Sequence, residues 1–531
     1  MDLATFDSVN RKPVMARNLI ATSQPLASQA GASAFARGGN AIDAALAAAI
    51  TLTVVEPTMN GLGGDAFAIL WDGHQLHGMN GCGRAPAGWT LERFKGRDAM
   101  PFRGWDTVTV PGQVAAWADL SAKFGALPFE ELFVDAIRHA MDGFPVSPVI
   151  ARQWQLSAQE LAPQPGFSAF MPKGRAPVAG EIWRFADQAV TLKEIARTRG
   201  RSFYTGRLAK CISDFAAEHG AALSAADLAE HETSWVEPIS LQFRDVKVHE
   251  IPPNGQGIAA LIALGILQNL PYDQTKPGSA QRAHLEIESM RLAFEDLYAH
   301  VAESESMKHE VDHLLDPAYL KQRASLVDPK RAQRYQPGQP SSGGTIYLCA
   351  ADAQGRMISY IQSNFTGFGS GVVVPGTGIS LHNRGKSFQL NPAHPNVIAP
   401  RKRPMHTIIP AFMTRDGQPA MAFGVMGANM QAQGHLQMTL RHVVEGLNPQ
   451  AASDAPRWRI DDAGELILEA KWPESEVQAL RDMGHTPTVQ PQDSLDFGSA
   501  QLIARLPSGE WDTAAYVGGS DTRRDGQVIG Y

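Results

Sequence analysis

The 531 residues carry 47 basic and 54 acidic side chains, a formal net charge of −7, with 44% hydrophobic and 19% charged residues. That mixture suits a soluble globular chain able to bury a large core. Mild acidity, with Arg401-Lys402-Arg403 as its most basic cluster, excludes a nucleic-acid binder that must neutralise phosphates. Cys82, Cys211 and Cys349 form no C-x-x-C pair, which excludes a disulfide framework and fits a reducing compartment. The apolar stretch 41–55 is interrupted by Asp43 and falls short of the ~20 residues a bilayer span needs. The expectation is a cytoplasmic protein, with neither nucleic acid nor membrane as partner. Length alone suggests roughly three or four domains at about 150 residues each.

In chain order, 27–37 reads as a helix closed by Gly38-Gly39, and Asn40 caps a second, alanine-rich helix. The glycine-dense turn 58–65 leads into a strand over 66–71 and a hairpin at Asp72-Gly73. Helical spacing follows over 114–124, 129–141, 192–197 and 207–218. The loop Pro252-Pro253-Asn254-Gly255-Gln256-Gly257 enters an apolar helix over 258–267, and Ser279 caps a long amphipathic helix over 280–302. After a polar segment, RAQRYQPGQPSSGG (331–344), the pattern turns to strands. Residues 345–351 alternate with Ile346, Leu348 and Ala350 on one face, and 357–362 returns after a turn at 352–355. Further strands are expected over 371–374, 407–413, 420–425, 466–469 and 500–505, with a helix over 433–444. Strands and helices in blocks suggest a layered α/β sandwich.

The sharpest local feature is Gly343-Gly344-Thr345, where an exposed loop ends and a threonine opens a strand. An unhindered Gly-Gly backbone permits the Thr345 hydroxyl to attack the carbonyl of Gly344, an N→O acyl shift. Hydrolysis of that ester would give Thr345 a free α-amine with a reference pKa of about 7.7–8.0. Such an amine can act as general base for its own hydroxyl, with no histidine required.

The run TIYLCAADAQGRMISYIQSNFTGFGSGVVVPGTGISLHNRG (345–385) resembles the start of the small subunit of the γ-glutamyltransferase (glutathione hydrolase) family. So do GGNAIDAALAA (38–48), NGLGGDAFAIL (60–70), TVPG (109–112), PPNGQGIAAL (252–261), HLEIESMRLAFED (284–296), RKRPMH (401–406) and SDTRRDGQVIGY (520–531). The resemblance implies a four-layer αββα sandwich of the N-terminal nucleophile hydrolase type. It also implies self-cleavage between Gly344 and Thr345 into a large subunit, 1–344, and a small subunit, 345–531. These subunits are then each other's partners, with a small amide or γ-glutamyl compound as substrate, no cofactor, and higher oligomers allowed. Thr345 takes the place of the nucleophile and Ser363 that of its assisting hydroxyl. Gly427-Ala428 matches the Gly-Gly pair whose N–H groups form the oxyanion hole; alanine there requires a backbone conformation that alanine tolerates.

The substrate pocket departs from the family pattern. Cys82 stands where an arginine usually clamps the α-carboxylate, leaving Arg84 or Arg384 as candidates for that task. The usual acidic run reads Asn383-Arg384-Gly385-Lys386-Ser387-Phe388, with Ser387 replacing the acid that binds an α-amine, and His406-Thr407 replaces a Ser-Ser pair. A buried ammonium without a counter-charge is costly, so the pocket suits an anion better. Only 13 residues, 389–401, separate Phe388 from Lys402-Arg403-Pro404, so an open, lidless site is expected. These departures resemble the branch with glutathione-hydrolase-like, cephalosporin acylase-like and oxamate amidohydrolase members. Candidate activities are therefore hydrolysis of γ-glutamyl compounds or of oxamate or glutaryl amides lacking an α-amine; a non-catalytic carboxylate binder is the reading from another class. His435 and His442 lack completing ligands, so no metal is expected. No phosphate-binding G-x-x-x-x-G-K-[ST] or nucleophile-elbow G-x-S-x-G occurs.

Overall fold

The computed structural model describes residues 11–333, 344–491, 494–507 and 514–531. Two seven-stranded sheets form its centre, and every pairing within them is antiparallel. The first runs Val14–Ala16, Tyr516–Ser520, Ser499–Arg505, Gln418–Met426, Ala411–Arg415, Val246–Glu250, Ile239–Phe243. The second runs Gln527–Gly530, Leu19–Thr22, Gly344–Ala351, Met357–Phe365, Asp65–Trp71, Leu76–Gly81, Ser234–Val236. Both sheets thus draw strands from either side of residue 344.

Helices cover the outer faces, giving the expected αββα sandwich. Asn40 forms a capping box with Asp43 at the head of Ala41–Val55, a helix buried along its whole length. Its alanines let it lie close against Pro25–Ala36 and against the strands Gly344–Ala351 and Met357–Phe365. On the far side, Ile258–Leu267, Ala280–His300 and Met430–Thr439 close the first sheet around a second apolar core. The one-faced alternation expected over 345–351 is replaced by burial on both faces. One face meets the helix layer, and the other meets Gln418–Met426 and Ser499–Arg505 of the facing sheet.

Several expected boundaries shift for local reasons. The helix expected over 129–141 splits into a 3-10 turn, Phe129–Phe133, and an α-helix, Val134–Asp142. The one over 433–444 starts at Met430 and ends in a π-helical turn, Leu440–Val444. The strand expected over 407–413 is Ala411–Arg415, because 406–409 is occupied with contacts to the site. Gly343 and most of the polar segment before it lie outside the described residues.

Candidate active site

Thr345 lies one residue into the strand Gly344–Ala351, opposite a bulge. Gly344 pairs with Phe365 and Ile346 with Gln362, so Ser363 and Asn364 together oppose Thr345. The Thr345 and Ser363 Oγ atoms stand 3.1 Å apart. Ser363 Oγ also accepts the N–H of Phe365 at 2.7 Å, which fixes its rotamer. The next strand over brings Asp65 level with Ser363, so the two side chains share a sheet face.

Gly427 and Ala428 follow the strand Gln418–Met426 and precede the helix Met430–Thr439. Gly427 has φ +117° and Ala428 φ +48°. Ala428 therefore sits in the left-handed region that glycine occupies without strain, at a cost of about 1–2 kcal/mol. The Ala428 carbonyl accepts from Gln256 Nε2 at 2.8 Å and from the N–H of Gln431 at 3.2 Å. Among the described residues, the N–H groups of Gly427 and Ala428 donate to no protein group. Gln431, which the sequence analysis did not single out, points its Nε2 at Thr345 Oγ1 from 3.5 Å. Its position three residues after Ala428, in the first turn of a helix that starts beside the site, is the signal that could have flagged it.

The substrate-side candidates separate into two groups. Arg84 is turned to the surface, where its guanidinium meets Glu303 and the carbonyl of Arg401 at 2.9 Å. Arg384 is wholly buried; its Nη1 donates to Thr407 Oγ1 at 2.9 Å, and its guanidinium stacks 4.0 Å from the Phe365 ring centroid. Its Nε and Nη2 have no hydrogen-bond partner among the described residues, and neither has the buried Ser387 Oγ. Burial pulls the Arg384 guanidinium down to about 10, against Asp65 and Cys82, so it stays cationic at neutral pH. Lys386, over the Phe102 ring at 4.5 Å, is pulled by burial to about 8. Asn383 has a scaffolding position: its Oδ1 accepts the Thr366 N–H at 3.2 Å, and its Nδ2 donates to the Phe102 carbonyl and to Thr366 Oγ1.

Asp65 organises the charged side. Its Oδ1 accepts the N–H groups of Gly83 and Gly112, each at 3.2 Å. Its Oδ2 lies 3.0 Å from His406 Nε2 and 3.2 Å from His382 Nδ1. His406 Nδ1 accepts the Ile408 N–H, so Nε2 carries the proton toward Asp65. Burial alone would push the Asp65 carboxyl up; His382 and His406 outweigh it and hold the group far below the usual carboxylate range. Burial, helped by Arg384, lowers His406 to about 3, leaving it neutral.

Asp65, Cys82 and His406 bring three potential metal-ligand atoms within 4.8 Å of one another. They do not fit a metal centre, because Asp65 is already occupied by His382, His406 and two backbone N–H groups and the Arg384 cation lies close by. His435 instead pairs with buried Glu250 at 2.7 Å, and His442 Nδ1 meets the Leu447 carbonyl at 3.0 Å. The short 389–401 interval folds aside, with Phe388 and Ile398 packed against Ala85, Trp89, Phe94 and Met100. The site expected to stand open is closed in this structure: Thr345, Ser363 and Arg384 have no solvent exposure. Thr345 lies in an inner strand of the second sheet, packed on the facing sheet, and Phe365 covers Arg384.

The family model described as gamma-glutamyltranspeptidase matches residues 27–531. The chain belongs to this family. It is 33% identical over 539 residues to the glutathione hydrolase-like YwrD proenzyme of Bacillus subtilis (strain 168), covering 98% of this chain and 100% of that one. It is also 33% identical over 522 residues to the oxamate amidohydrolase proenzyme of Klebsiella pneumoniae, covering 95% and 97%. Among solved structures, the cephalosporin acylase from Bacillus halodurans superposes with a TM-score of 0.93 at 44% identity, covering 99% of this chain and 98% of that one. This family member is accordingly an enzyme of the N-terminal nucleophile hydrolase type with an αββα fold. Among the described residues, no helix is long and apolar enough to cross a membrane.

Proposed function

We propose that this family member is an autoprocessing amide hydrolase that cuts itself between Gly344 and Thr345 and then uses Thr345 as nucleophile. Its substrates are small amides whose acyl part carries a carboxylate and no α-ammonium, such as oxamate or glutaryl amides. The α-amine freed at Thr345 takes the hydroxyl proton, Oγ1 bonds to the amide carbon, and the N–H groups of Gly427 and Ala428 hold the resulting oxyanion. The amine leaves with the proton, and water resolves the ester on Oγ1. Ser363 orients the nucleophile.

The observation that carries the substrate assignment is Arg384, a buried cation with two N–H bearing nitrogens, Nε and Nη2, unpartnered among the described residues. A carboxylate meets such a pair with two parallel hydrogen bonds. An α-ammonium has no counterpart there: Ser387 carries no charge, and Asp65 is already engaged by two histidines and two backbone N–H groups. The names of the relatives, an oxamate amidohydrolase and a cephalosporin acylase, support the same chemistry.

Intact-mass measurement on the purified protein is expected to show two pieces meeting at 344/345, while Thr345→Ala stays whole and inactive. An uncut chain with full activity overturns the mechanism. Oxamate, a glutaryl anilide and a γ-glutamyl anilide assayed side by side test the substrate class; a clear preference for the γ-glutamyl compound overturns that part.

A further inference from the structure

The Gln431 side chain is fully buried in the first turn of the helix Met430–Thr439 and makes two polar contacts with opposite ends of its amide. Its Oε1 accepts the backbone N–H of Ile409 at 3.0 Å. Only the oxygen can meet an N–H donor, so the amide has one allowed orientation, with Nε2 facing Thr345 Oγ1. The 3.5 Å separation is long for a resting hydrogen bond, as is common before substrate tightens a site. Ile409 lies two residues beyond Thr407, the acceptor of the Arg384 guanidinium. The short segment 407–409 thereby ties the anion-binding side to the group that faces the nucleophile.

We propose that Gln431 is a further catalytic residue, donating a hydrogen bond to Thr345 Oγ1 and assisting its departure from the acyl-enzyme. The inference rests on the reading of Thr345 as nucleophile. A carboxamide nitrogen donates and cannot take a proton, so the Thr345 hydroxyl proton is directed away from Gln431 and toward the α-amine. In the first half-reaction the Oγ1–carbon bond forms, the carbon–nitrogen bond breaks, and the proton passes through the α-amine to the leaving nitrogen. In the second half-reaction water adds to the ester carbonyl and gives a proton to the α-amine. The Oγ1–carbon bond then breaks, its electron pair returns to Oγ1, and that proton follows. Negative charge develops on Oγ1 in this last step, and a fixed N–H donor stabilises it without itself changing protonation state.

Two variants separate this role from a scaffolding one. Gln431→Glu keeps an oxygen for the Ile409 N–H but loses the donor toward Thr345; Gln431→Met loses both. Both are expected to lower kcat by about 10–100-fold while KM falls in parallel, leaving kcat/KM within about threefold. The acyl group should then persist on the 345–531 piece at steady state, visible by intact mass with a glutaryl anilide as probe. Gln431→Glu with wild-type kcat overturns the proposal, as does a loss confined to kcat/KM with no retained acyl group. Failure of the wild type to cleave or turn over in a Thr345-dependent way would instead sink the reading of the nucleophile.

Discussion

The two ends of the site are made of different materials. The groups in contact with Thr345 Oγ1 are neutral: the Ser363 hydroxyl and the Gln431 amide. Around Arg384 stand Asp65, His382 and His406, all titratable, and Lys386 shares the Phe365 ring with it. Hydrogen bonds to neutral groups orient a nucleophile without committing the site to one substrate. Charges held out of water act strongly on whatever enters, because little solvent screens them. Under the function proposed above, the neutral end would carry bond cleavage and the charged end the choice of amide.

The comparison breaks most visibly if Arg384 can be removed without loss. Arg384→Met is expected to lower kcat/KM for a carboxylate-bearing amide by about 100-fold, a loss set by two charged hydrogen bonds. Self-cleavage should be unaffected, and stability should hold or rise, since a buried guanidinium with unpaired N–H groups is costly to desolvate. Steady-state kinetics, intact mass and thermal melts read these three effects. Ser363→Ala probes the neutral end: kcat and the rate of self-cleavage should each fall about 10-fold, with KM for the same substrate little changed. Equal losses of KM and kcat in both variants would erase the division.

Acid should likewise separate the ends. His406 is held neutral with its value lowered to about 3, so between pH 6.5 and 3 the unfolded chain binds a proton that the folded chain does not. Its contribution to stability is complete above about pH 6.5 and is lost progressively as pH falls toward 3. His406→Gln should flatten the acid limb of a Tm-against-pH profile, whereas Ser363→Ala should shift the profile without changing its slope. The smallest effect is expected at Ala428, whose φ of +48° strains an alanine. Ala428→Gly trades that strain against glycine's greater unfolded-state freedom and should raise stability by about 0.5–1 kcal/mol, measured by denaturant unfolding.

Local signals made much of the scaffold readable. Asn40 before an alanine run, Ser279 before an amphipathic stretch and the turn at Asp72-Gly73 are all short-range devices, and each sits where the chain pattern puts it. The alternation at 345–351 misled because strand burial depends on what covers the second face, which is a helix from residues 41–55. Arg84 and Arg384 could not be told apart by sequence. Each neighbours a family motif, and only the fold turns one toward Glu303 at the surface and the other under Phe365. Gln431 is marked in the sequence only by its place three residues after Ala428; that its amide, among several polar side chains there, faces Thr345 is set by the fold.

The sequence by itself determined the family, the sandwich architecture and the threonine at the head of a strand, because these rest on contiguous motifs and local propensity. Tertiary structure decided which cation is buried, how Asp65 is occupied and which amide faces Thr345. Those answers depend on residues 18 to 341 positions apart meeting in one buried space, where partners rather than residue types set charge and orientation.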